Sequence, residues 1–390
     1  MSMPAPKADA KADGRTTLEL GPVLPMTAEV KDDHLFIGGV DMVKLAKEQG
    51  TALYVFDQAD LEHRMESYLN AMRVQHRNSD VLYASKAFLN KAVLQIVADK
   101  GLCLDVSGGG ELAIARAAGF PMERVFVHGN NKTEQELCEA LDAGVGRIVL
   151  DSRIELDRVN RLAGERGMVQ DVYMRITPGV EADTHEYIRT GCEDSKFGFT
   201  MLGDFAFKCV KDVLDAPNVR LAGLHMHIGS QIFALHSFDE AIAVMVDMMK
   251  RIKETYGYEI DELDVGGGLG IAYMADDKPS SVEDFANVVV PAVINRCREA
   301  GLKEPRILCE PGRSLVANPG VTLYTVGILK TLPDIRKYVA IDGGMSDNIR
   351  TALYHADYEA VIANKAAEPR TEIVTLCGKH CESGDAVVLD

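Results

Sequence analysis

The residues of this chain that could carry out chemistry follow short apolar, strand-like runs in its middle part. The group contains a lysine, three carboxylates, three histidines and two arginines, and its members are Lys86, Asp105, Glu111, His128, Arg175, His225, His227, Glu310 and Arg313. A lysine enclosed among small apolar neighbours can present an uncharged amine, which attacks a carbonyl carbon. Three consecutive glycines, Gly266 to Gly268, follow another run, and the backbone N–H groups of such a turn can bind phosphate. The set therefore indicates covalent chemistry on a carbonyl compound that carries a phosphate.

The elements that must position these residues alternate regularly between Val81 and Arg313. Eight strand-like runs, among them VLYASKA, VYMRITPG and RILCEPGR, are separated by helical patterns such as TEQELCEALDAG, with apolar residues three and four apart and a closing glycine. This pattern predicts a (β/α)8 TIM barrel, in which the active site lies at the carboxyl ends of the strands. The competing fold is a doubly wound parallel sheet, and it is disfavoured because no strict G-x-G-x-x-G opens a helix after an early strand.

The two flanks of the repeat are predicted to form a second, mostly β domain. It would comprise residues 28–57 and 314–390, where VTLYTVGILK, KYVAIDGG and TEIVTLCG are β-rich with no helices between them. The barrel would span residues 58–313. Residues 1–27 are predicted to be a disordered tail, and the first twenty lack the apolar segment of a secretory signal.

Composition excludes several classes of partner. The net charge of −17, from 42 basic and 59 acidic residues, argues against nucleic acid and against an anionic membrane. No apolar run approaches the ~20 residues that a membrane span needs. The eight cysteines are scattered without paired spacing, so we expect reduced thiols and a cytoplasmic protein.

Loops after the seventh and eighth predicted strands are candidates for binding a phosphorylated cofactor. Barrels commonly bind phosphate at these two loops, where small residues expose backbone N–H groups. Glu310 could pair with a ring nitrogen of the bound molecule, and the alternative is a salt bridge to Arg313. The predicted cofactor-binding residues of the two loops are Gly266, Gly267, Gly268, Glu310, Pro311, Gly312 and Arg313.

Two interpretations compete for His225 and His227, which lie two residues apart on a predicted strand and therefore share a face. One is a His-x-His metal centre, and the other is an imidazole stacked on a planar aromatic cofactor. Metal-dependent hydrolases of this barrel type carry the pair on the first strand and an aspartate on the eighth. Here the pair is on the sixth strand, and the eighth is followed by glutamate and arginine. We therefore expect no metal.

Taken together, a Schiff-base lysine, a phosphate site, a carboxylate for a ring nitrogen and a stacking histidine describe pyridoxal 5'-phosphate. The order and spacing of the motifs resemble the alanine-racemase-like fold group of pyridoxal-phosphate enzymes and, within it, the diaminopimelate decarboxylase family. The resemblance spans about Ala28 to the C-terminus. Its carriers are YASKA, HMHIGSQ, DVGGGLG, EPGR, DGGMSDNIRTALY and GKHCESGD.

The resemblance implies a role for each matching residue. Lys86 would be the Schiff-base lysine, Cys381 the catalytic acid, His227 the stacking imidazole and Glu310 the partner of the ring nitrogen. Further candidates for cofactor binding, beside the two loops, are Asp105, His128, Arg175 and Ser230. Substrate would be bound by Arg313, Arg350, Tyr354 and Glu382, of which Glu382 would read the distal amine.

The expected function is that of a carboxy-lyase. It would decarboxylate meso-2,6-diaminopimelate to L-lysine and carbon dioxide, the last step of lysine biosynthesis. Three alternatives share the cofactor. An ornithine- or arginine-type decarboxylase usually has aspartate and glycine after the cysteine, a racemase would have a tyrosine in place of Cys381, and a non-catalytic pyridoxal-phosphate carrier would lack the β domain and the HMHIGSQ and CESGD motifs.

The resemblance also implies a homodimer with shared active sites. Cys381 and Glu382 of one subunit would complete the site around Lys86 of its partner. Relatives continue past CESGD to a Gly-Ala-Tyr motif, so we expect the β domain to be incomplete at its C-terminal end. The chain also has Thr351 where the family often has proline.

Overall fold

A computed structural model of the protein describes residues 12–180 and 195–389. The chain divides into two compact units. The barrel unit comprises Glu62–Gly270 and Pro279–Leu315, and the β unit comprises Met1–Leu61, Ile271–Lys278 and Val316–Asp390. Residues 271–278, which the predicted boundaries put in the barrel, belong to the β unit.

A short 3-10 helix, Thr17–Val23, lies in the segment predicted to be a disordered tail. Residues 1–11 of that segment lie outside the described residues. Within the helix, Thr17 and Leu20 are buried, and the backbone N–H of Thr17 donates to the carbonyl of Ala366 at 3.3 Å. This ordered helix differs from the predicted disorder. Its stabilising partner lies almost 350 residues away in the chain, so the composition around Thr17 gives no sign of it.

The N-terminal flank forms a small antiparallel sheet and one helix of the β unit. The Asp41 carboxylate caps this helix by accepting hydrogen bonds from the backbone N–H groups of Val43 and Lys44, at 2.9 and 3.2 Å, which satisfies donors that a helix start leaves unpaired. The elements are β1 (Glu29–Lys31), β2 (His34–Ile37), β3 (Val40–Asp41), α1 (Met42–Gln49) and β4 (Leu53–Phe56).

Eight parallel strands close into the predicted barrel. They follow one another around the wall in chain order, and the circle is completed by pairing of the first strand with the last. All eight strand-like runs of the sequence form these strands, so the fold prediction is confirmed. The barrel strands are β5 (Ser79–Ala84), β6 (Cys103–Val106), β7 (Val125–Val127), β8 (Arg147–Leu150), β9 (Gln170–Thr177), β11 (Val219–Met226), β12 (Glu262–Asp264) and β13 (Arg306–Cys309), and the short β10 (Phe199–Thr200) pairs with β9.

Helices alternate with the barrel strands, as the sequence pattern predicted. Helix α5 begins at a capping box, in which Thr133 Oγ1 accepts from Glu136 N at 3.2 Å, and it ends at Gly144 with φ of +74°. Within the described residues, no helix is both long enough and apolar enough to span a membrane. The helices are α2 (Gln58–Gln75), α3 (Lys91–Asp99), α4 (Gly109–Ala117), α5 (Glu134–Ala143), α6 (Arg153–Glu165), α7 (Phe205–Asp215), α8 (His236–Tyr256), α9 (Val282–Glu299) and α10 (Arg313–Val316).

Side chains fill the inside of the barrel. One buried layer takes a residue from seven of the strands, namely Leu82, Cys103, Phe126, Val149, Tyr173, Ala222 and Leu308. Below it, at the amino ends of the strands, Glu262 accepts from Arg147 Nε at 2.9 Å, from Arg306 Nη1 at 3.0 Å and from the Tyr173 hydroxyl at 2.5 Å. Burial opposes ionisation, but the hydrogen bonds from Arg147 and Tyr173 outweigh it and lower the pKa of Glu262 to about 2. This end of the barrel is therefore closed by a fully bonded ion network.

The C-terminal flank adds the larger part of the β unit. Strand β14 (Gly320–Leu323) pairs with β4, and a four-stranded sheet has the order β15-β16-β17-β18. One expectation is wrong, because the short helix α11 (Arg350–Tyr354) interrupts the β-rich flank that was predicted to lack helices. Its five residues are too few to show a helical period in sequence. The sheet consists of β15 (Val326–Leu332), β16 (Arg336–Ile341), β17 (Thr375–Cys377) and β18 (Ala386–Val388).

Candidate active site

Predicted site residues gather at the carboxyl ends of the barrel strands. Parallel register aligns Asp105 with Ala84, just before Lys86, and aligns His225 with both Arg175 and Asp264. Lys86 lies in a 3-10 turn after β5 and is exposed. The residues of this mouth that are buried are Asp105, His128, Arg175, His225, Asp264 and Glu310. The fold thus places an accessible amine above a floor of buried polar groups.

Glu310 lies between two imidazoles on this floor. Its Oε1 is 2.9 Å from His128 Nε2, and its Oε2 is 3.0 Å from His225 Nε2. The two rings meet edge to face with their centroids 4.9 Å apart. Asp105 Oδ1 lies 3.9 Å from His128 Nε2. We call His128, His225 and Glu310 the mouth triad.

The two imidazoles of the mouth triad carry different charge. Burial works against charge on His128, but the carboxylates of Asp105 and Glu310 overcome it and raise its pKa. Burial lowers the pKa of His225 to about 4. Burial likewise opposes ionisation of Glu310, yet the two imidazoles hold its pKa well below the usual range. At neutral pH the triad therefore contains an anionic carboxylate and a neutral His225, with His128 biased towards the cationic form.

Several buried polar atoms around the triad make no hydrogen bond with the described residues. They are Asp105 Oδ1, His128 Nε2, His225 Nδ1, Asp264 Oδ2 and Glu310 Oε1. His128 Nε2 and Glu310 Oε1 are 2.9 Å apart, an ion-pair distance without hydrogen-bond geometry. Burial, followed by the charge of Glu310, raises the pKa of Asp264 well above its usual range, so this carboxyl can act as a donor. An unpaired buried polar atom costs about 1–3 kcal/mol. Such atoms cluster where a bound molecule supplies the missing partner.

Beside the floor, three glycines let two loops approach closely. A Cβ at Gly266, Gly267 or Gly268 would overlap the backbone of Met226, Glu310 or Gly229 respectively. Gly266 and Gly268 also have φ values of +71° and +114°, which favour glycine. The glycine loop is tied to the loop after β11 by the hydrogen bond from Ile232 N to Gly268 O, at 2.9 Å.

Ser230 and Arg313 supply polar side chains next to this glycine loop. Arg313 Nη2 donates to Ser230 Oγ at 3.1 Å. A guanidinium, a hydroxyl and a glycine turn are the groups that bind phosphate in proteins. The barrel mouth therefore offers an anion site at its edge and a polar floor at its centre.

His227 and His225 have different partners, although they are two residues apart. Gly267 N donates to His227 Nδ1 at 3.2 Å, so the ring presents a neutral tautomer with its proton on Nε2. Burial, and then the positive charges of Lys86 and Arg175, keep the pKa of His227 well below the usual range. The predicted His-x-His pair is thus divided between a carboxylate and a backbone amide. A different set, the mouth triad, has ligand atoms within 4.8 Å of one another, and its members pair with each other.

Arg175 is buried at the end of β9. Its guanidinium carbon lies 4.3 Å from the centroid of the Phe197 ring, a cation–π distance. Burial lowers its pKa from the ordinary value. A guanidinium nevertheless stays charged at neutral pH, so Arg175 adds a positive charge near the floor.

Four predicted residues lie in the β unit, two in a short helix and two in a turn. Arg350 and Tyr354 are in α11, whereas Cys381 and Glu382 are exposed in the turn between β17 and β18. Arg350 Nη1 donates to the Tyr358 hydroxyl at 2.7 Å. Its guanidinium carbon also lies 4.7 Å from the centroid of Tyr273 and 5.8 Å from that of Tyr354.

Asp385 fixes the turn that carries Cys381 and Glu382. This carboxylate is 2% exposed and accepts from Met345 N at 2.6 Å and from His380 N at 2.8 Å. A Cβ at Gly378 would overlap it. The turn is therefore joined through backbone groups to the loop that leads into α11.

Comparison with known proteins identifies the family. Residues 58–317 match the family described as "Pyridoxal-dependent decarboxylase, pyridoxal binding domain". The diaminopimelate decarboxylase of Bacillus subtilis is 45% identical over 92% of this chain and 81% of its own length. That of Mycobacterium tuberculosis is 43% identical over 91% of this chain and 80% of its own. The chain belongs to the diaminopimelate decarboxylase family. A solved diaminopimelate decarboxylase from M. jannaschii, in complex with L-lysine, superposes with a TM-score of 0.86 at 34% identity, covering 94% of this chain and 84% of that one.

Pyridoxal phosphate is the cofactor of this family, and the barrel mouth fits it. The glycine loop with Ser230 and Arg313 suits the phosphate, the anionic Glu310 suits a protonated ring nitrogen, and Lys86 offers the amine. The unpaired atoms of Asp105 and Asp264 are partners for the polar groups of the ring. The anticipated family and cofactor are confirmed.

Sequence reasoning missed one residue of this floor and the role of another. His225 was weighed with His227 as a metal ligand or a stacking imidazole, and it contacts Glu310 instead. Asp264 was not singled out, and it closes β12 with its carboxylate accepting from Gly266 N at 2.9 Å. A signal was present for Asp264, since a charged residue ends an apolar run directly before the glycine loop.

Proposed function

We propose that the protein decarboxylates meso-2,6-diaminopimelate to L-lysine and carbon dioxide, the last step of lysine biosynthesis, with pyridoxal phosphate as cofactor. The observation that carries this proposal is Glu310, a buried carboxylate that His128 and His225 hold in its anionic form at the centre of the barrel mouth. Two relatives named diaminopimelate decarboxylase, each more than 40% identical to this chain, support the choice of substrate.

Bound pyridoxal phosphate supplies a protonated ring that accepts the electron pair left at Cα when carbon dioxide departs. Three residues are proposed to prepare the site. Lys86 would hold the cofactor covalently through Nζ. Glu310 would keep the ring nitrogen protonated, because an anion beside it favours the cation. His227, with its Nδ1 occupied by Gly267 N, would stack on the ring face.

Proton return is assigned to Cys381. The bond from Cα to the carboxylate carbon breaks, carbon dioxide leaves, and its electron pair remains at Cα. The Cys381 thiol then donates its proton to that carbon, and the thiolate recovers a proton from water. One proton is consumed per turnover, and a positioned acid of this kind contributes about 10²- to 10⁴-fold in rate.

Recognition of the substrate is assigned to Arg313, Arg350, Tyr354 and Glu382. Glu382 would accept hydrogen bonds from the distal ammonium, a charge-assisted contact worth ~1.5–3 kcal/mol. The Glu382→Gln variant should therefore lose diaminopimelate turnover far more than cofactor affinity. Equal loss of both would contradict this role.

We also propose a cytoplasmic homodimer with shared active sites, in which Cys381 and Glu382 of one subunit serve Lys86 of its partner. The free thiols of the described residues support a reducing compartment. Mixing Lys86→Ala with Cys381→Ala subunits tests the sharing, since one hybrid site has both wild-type residues. Recovery of roughly a quarter to half of wild-type activity is expected. No recovery from folded, cofactor-loaded subunits would contradict it.

The decisive experiment for the function measures carbon dioxide release from meso-diaminopimelate. Ornithine, arginine and lysine are the competing substrates. We expect release from diaminopimelate alone at rates above background. Preference for ornithine or arginine would instead identify a basic amino-acid decarboxylase of the same fold, and bound cofactor without any turnover would support a carrier protein.

A further inference from the structure

The mouth triad contains an imidazole, His225, that the proposed mechanism places beside Glu310 without separating its role from that of His128. His225 is 1% exposed and is the last residue but one of β11. Its Nε2 lies 3.0 Å from Glu310 Oε2, while its Nδ1 makes no hydrogen bond with the described residues. Burying a ring with an unpaired nitrogen is unfavourable by itself, so the contact with Glu310 calls for a function.

We propose that His225 is a positioning residue for the cofactor: as a neutral donor it fixes the Glu310 carboxylate and leaves that carboxylate free to hold the ring nitrogen. The inference rests on the proposed pyridoxal-phosphate chemistry and extends it to a residue that does not itself touch the reacting atoms. His128 has the complementary task of balancing charge.

The surroundings of the two imidazoles distinguish these tasks. His128 has two carboxylates within 4 Å, Glu310 at 2.9 Å and Asp105 at 3.9 Å. His225 faces Glu310, the His128 ring, and the register neighbours Arg175 and Asp264. A cationic His225 would meet the positive charges of His128 and Arg175. It therefore donates to Glu310 without adding charge.

The neutrality of His225 determines how strongly Glu310 attracts the protonated ring nitrogen of the cofactor. A carboxylate paired with two cations would attract a third positive group, the protonated ring nitrogen, only weakly. With one cation beside Oε1 and one neutral donor on Oε2, Glu310 is oriented through the His225 bond and keeps part of its negative field for the cofactor. Each oxygen retains a further acceptor site, because a carboxylate has about four lone-pair directions.

Two substitutions separate the hydrogen bond that His225 donates to Glu310 from the packing of its ring. His225→Gln keeps an amide N–H that can reach Glu310, and His225→Leu keeps bulk but removes the donor. His63→Leu, on the exposed face of α2, is the matched control. Apoenzyme is titrated with pyridoxal phosphate to obtain the dissociation constant, and the visible absorbance of the bound cofactor is followed from pH 6 to 10.

We expect His225→Leu to weaken cofactor binding by about 10- to 100-fold, the range for a lost hydrogen bond to a charged group. It should also shift the pH midpoint of the cofactor band and lower kcat with little change in KM. His225→Gln should restore affinity to within a few-fold of wild type and restore the midpoint, and the His63 control should change neither.

Two outcomes would overturn the proposal. One is a His225→Leu enzyme with wild-type affinity and an unshifted band. The other is equal defects in the Gln and Leu variants with lowered thermal stability in both, which would make His225 a packing residue. Failure of the proposed function is distinguishable, since a wild type that binds the cofactor but does not decarboxylate diaminopimelate would leave the cofactor titrations interpretable.

Discussion

Each end of the barrel holds a buried glutamate between two basic side chains, and the ends differ in the bases they use. At the amino ends of the strands, Glu262 is bonded by the guanidinium groups of Arg147 and Arg306. At the carboxyl ends, Glu310 lies 2.9 Å from the imidazole of His128 and is bonded by that of His225. Both arrangements lower the pKa of the carboxyl.

The surroundings of the two glutamates differ as well. Glu262 also accepts from the Tyr173 hydroxyl, so its network is satisfied within the protein. Around Glu310, atoms of Asp105 and Asp264 have no hydrogen-bond partner among the described residues. Arginine is charged at every physiological pH and has a rigid fork, whereas the charge of histidine depends on its neighbours. Permanent charges thus stabilise one end, and adjustable ones prepare the other for a ligand.

The largest expected effect at the mouth comes from Lys86→Ala. Removal of the amine should lower turnover by at least about 10³-fold, because covalent attachment of the cofactor is lost. Borohydride should label the wild type on the peptide that contains Lys86 and should leave the variant unlabelled, as peptide mass spectrometry would show.

Thermal unfolding and a second lysine provide the controls for that experiment. The melting temperature of Lys86→Ala should match that of the wild type, since the side chain is exposed. Lys91→Ala, at the exposed start of α3, should retain labelling and turnover. A borohydride-sensitive band in Lys86→Ala would contradict the assignment.

At the opposite end, Glu262→Leu should affect stability and spare the chemistry. The substitution removes the carboxylate that Arg147 and Arg306 share, while Arg147 keeps Asp171 at 3.1 Å and Arg306 keeps Asp80 at 2.6 Å. The lost hydrogen bonds to a charged group should cost about 1.5–3 kcal/mol. Chemical denaturation would measure this loss, and cofactor affinity should stay within twofold of wild type. Glu299→Leu, on the exposed end of α9, should be neutral. A large loss of cofactor affinity at unchanged stability would show that the two ends are not separate in function.

Acidification should reveal the neutral imidazole at the mouth. His225 has a pKa of about 4 in the folded protein and ~6.5 when unfolded. Between these values the unfolded chain binds a proton that the folded chain excludes, so the wild type loses stability as pH falls from ~6.5 to ~4. Relative to His225→Gln, which cannot titrate, the apoenzyme should lose on the order of 3 kcal/mol across that window. A stability difference that is constant from pH 7 to 4.5 would refute a neutral His225.

Arg147→Lys should have the smallest effect. It tests why arginine is used at the amino ends of the barrel strands. Arg147 Nε and Nη2 each donate to one oxygen of Glu262, at 2.9 and 3.0 Å. An ammonium retains the charge but loses this paired geometry, at a cost of about 1 kcal/mol. Denaturant midpoints would measure the change, with Arg298→Lys on the surface as the control. Identical midpoints for Arg147→Lys and the wild type would mean that charge alone closes this end.

Much of the fold could be predicted because the alternation of strands and helices is visible in short stretches of sequence. Each barrel strand is a short apolar run with its own helix, and the barrel rule then places Lys86 and Glu310 at one end. Periodicity does not reveal which side chains meet across strands that are distant in sequence, so the contact between His225 and Glu310 was not foreseen. The same limit applies to Thr17, whose partner Ala366 lies near the other end of the chain.

Asp385 has a consequence for protein engineering. Its carboxylate holds the turn between β17 and β18 through the backbone N–H groups of Met345 and His380. Apart from Asp385 itself, no side chain of the turn takes part in these two bonds, so they do not depend on which residues occupy positions 381 and 382. Glu382 Oε1 adds one bond of its own, from Gly384 N at 3.3 Å. The turn is in effect an exchangeable cassette, in which acids of different length can be installed without redesigning its support. If these two positions contact the substrate as proposed, selection for new amino-acid substrates can begin with a library confined to their two codons.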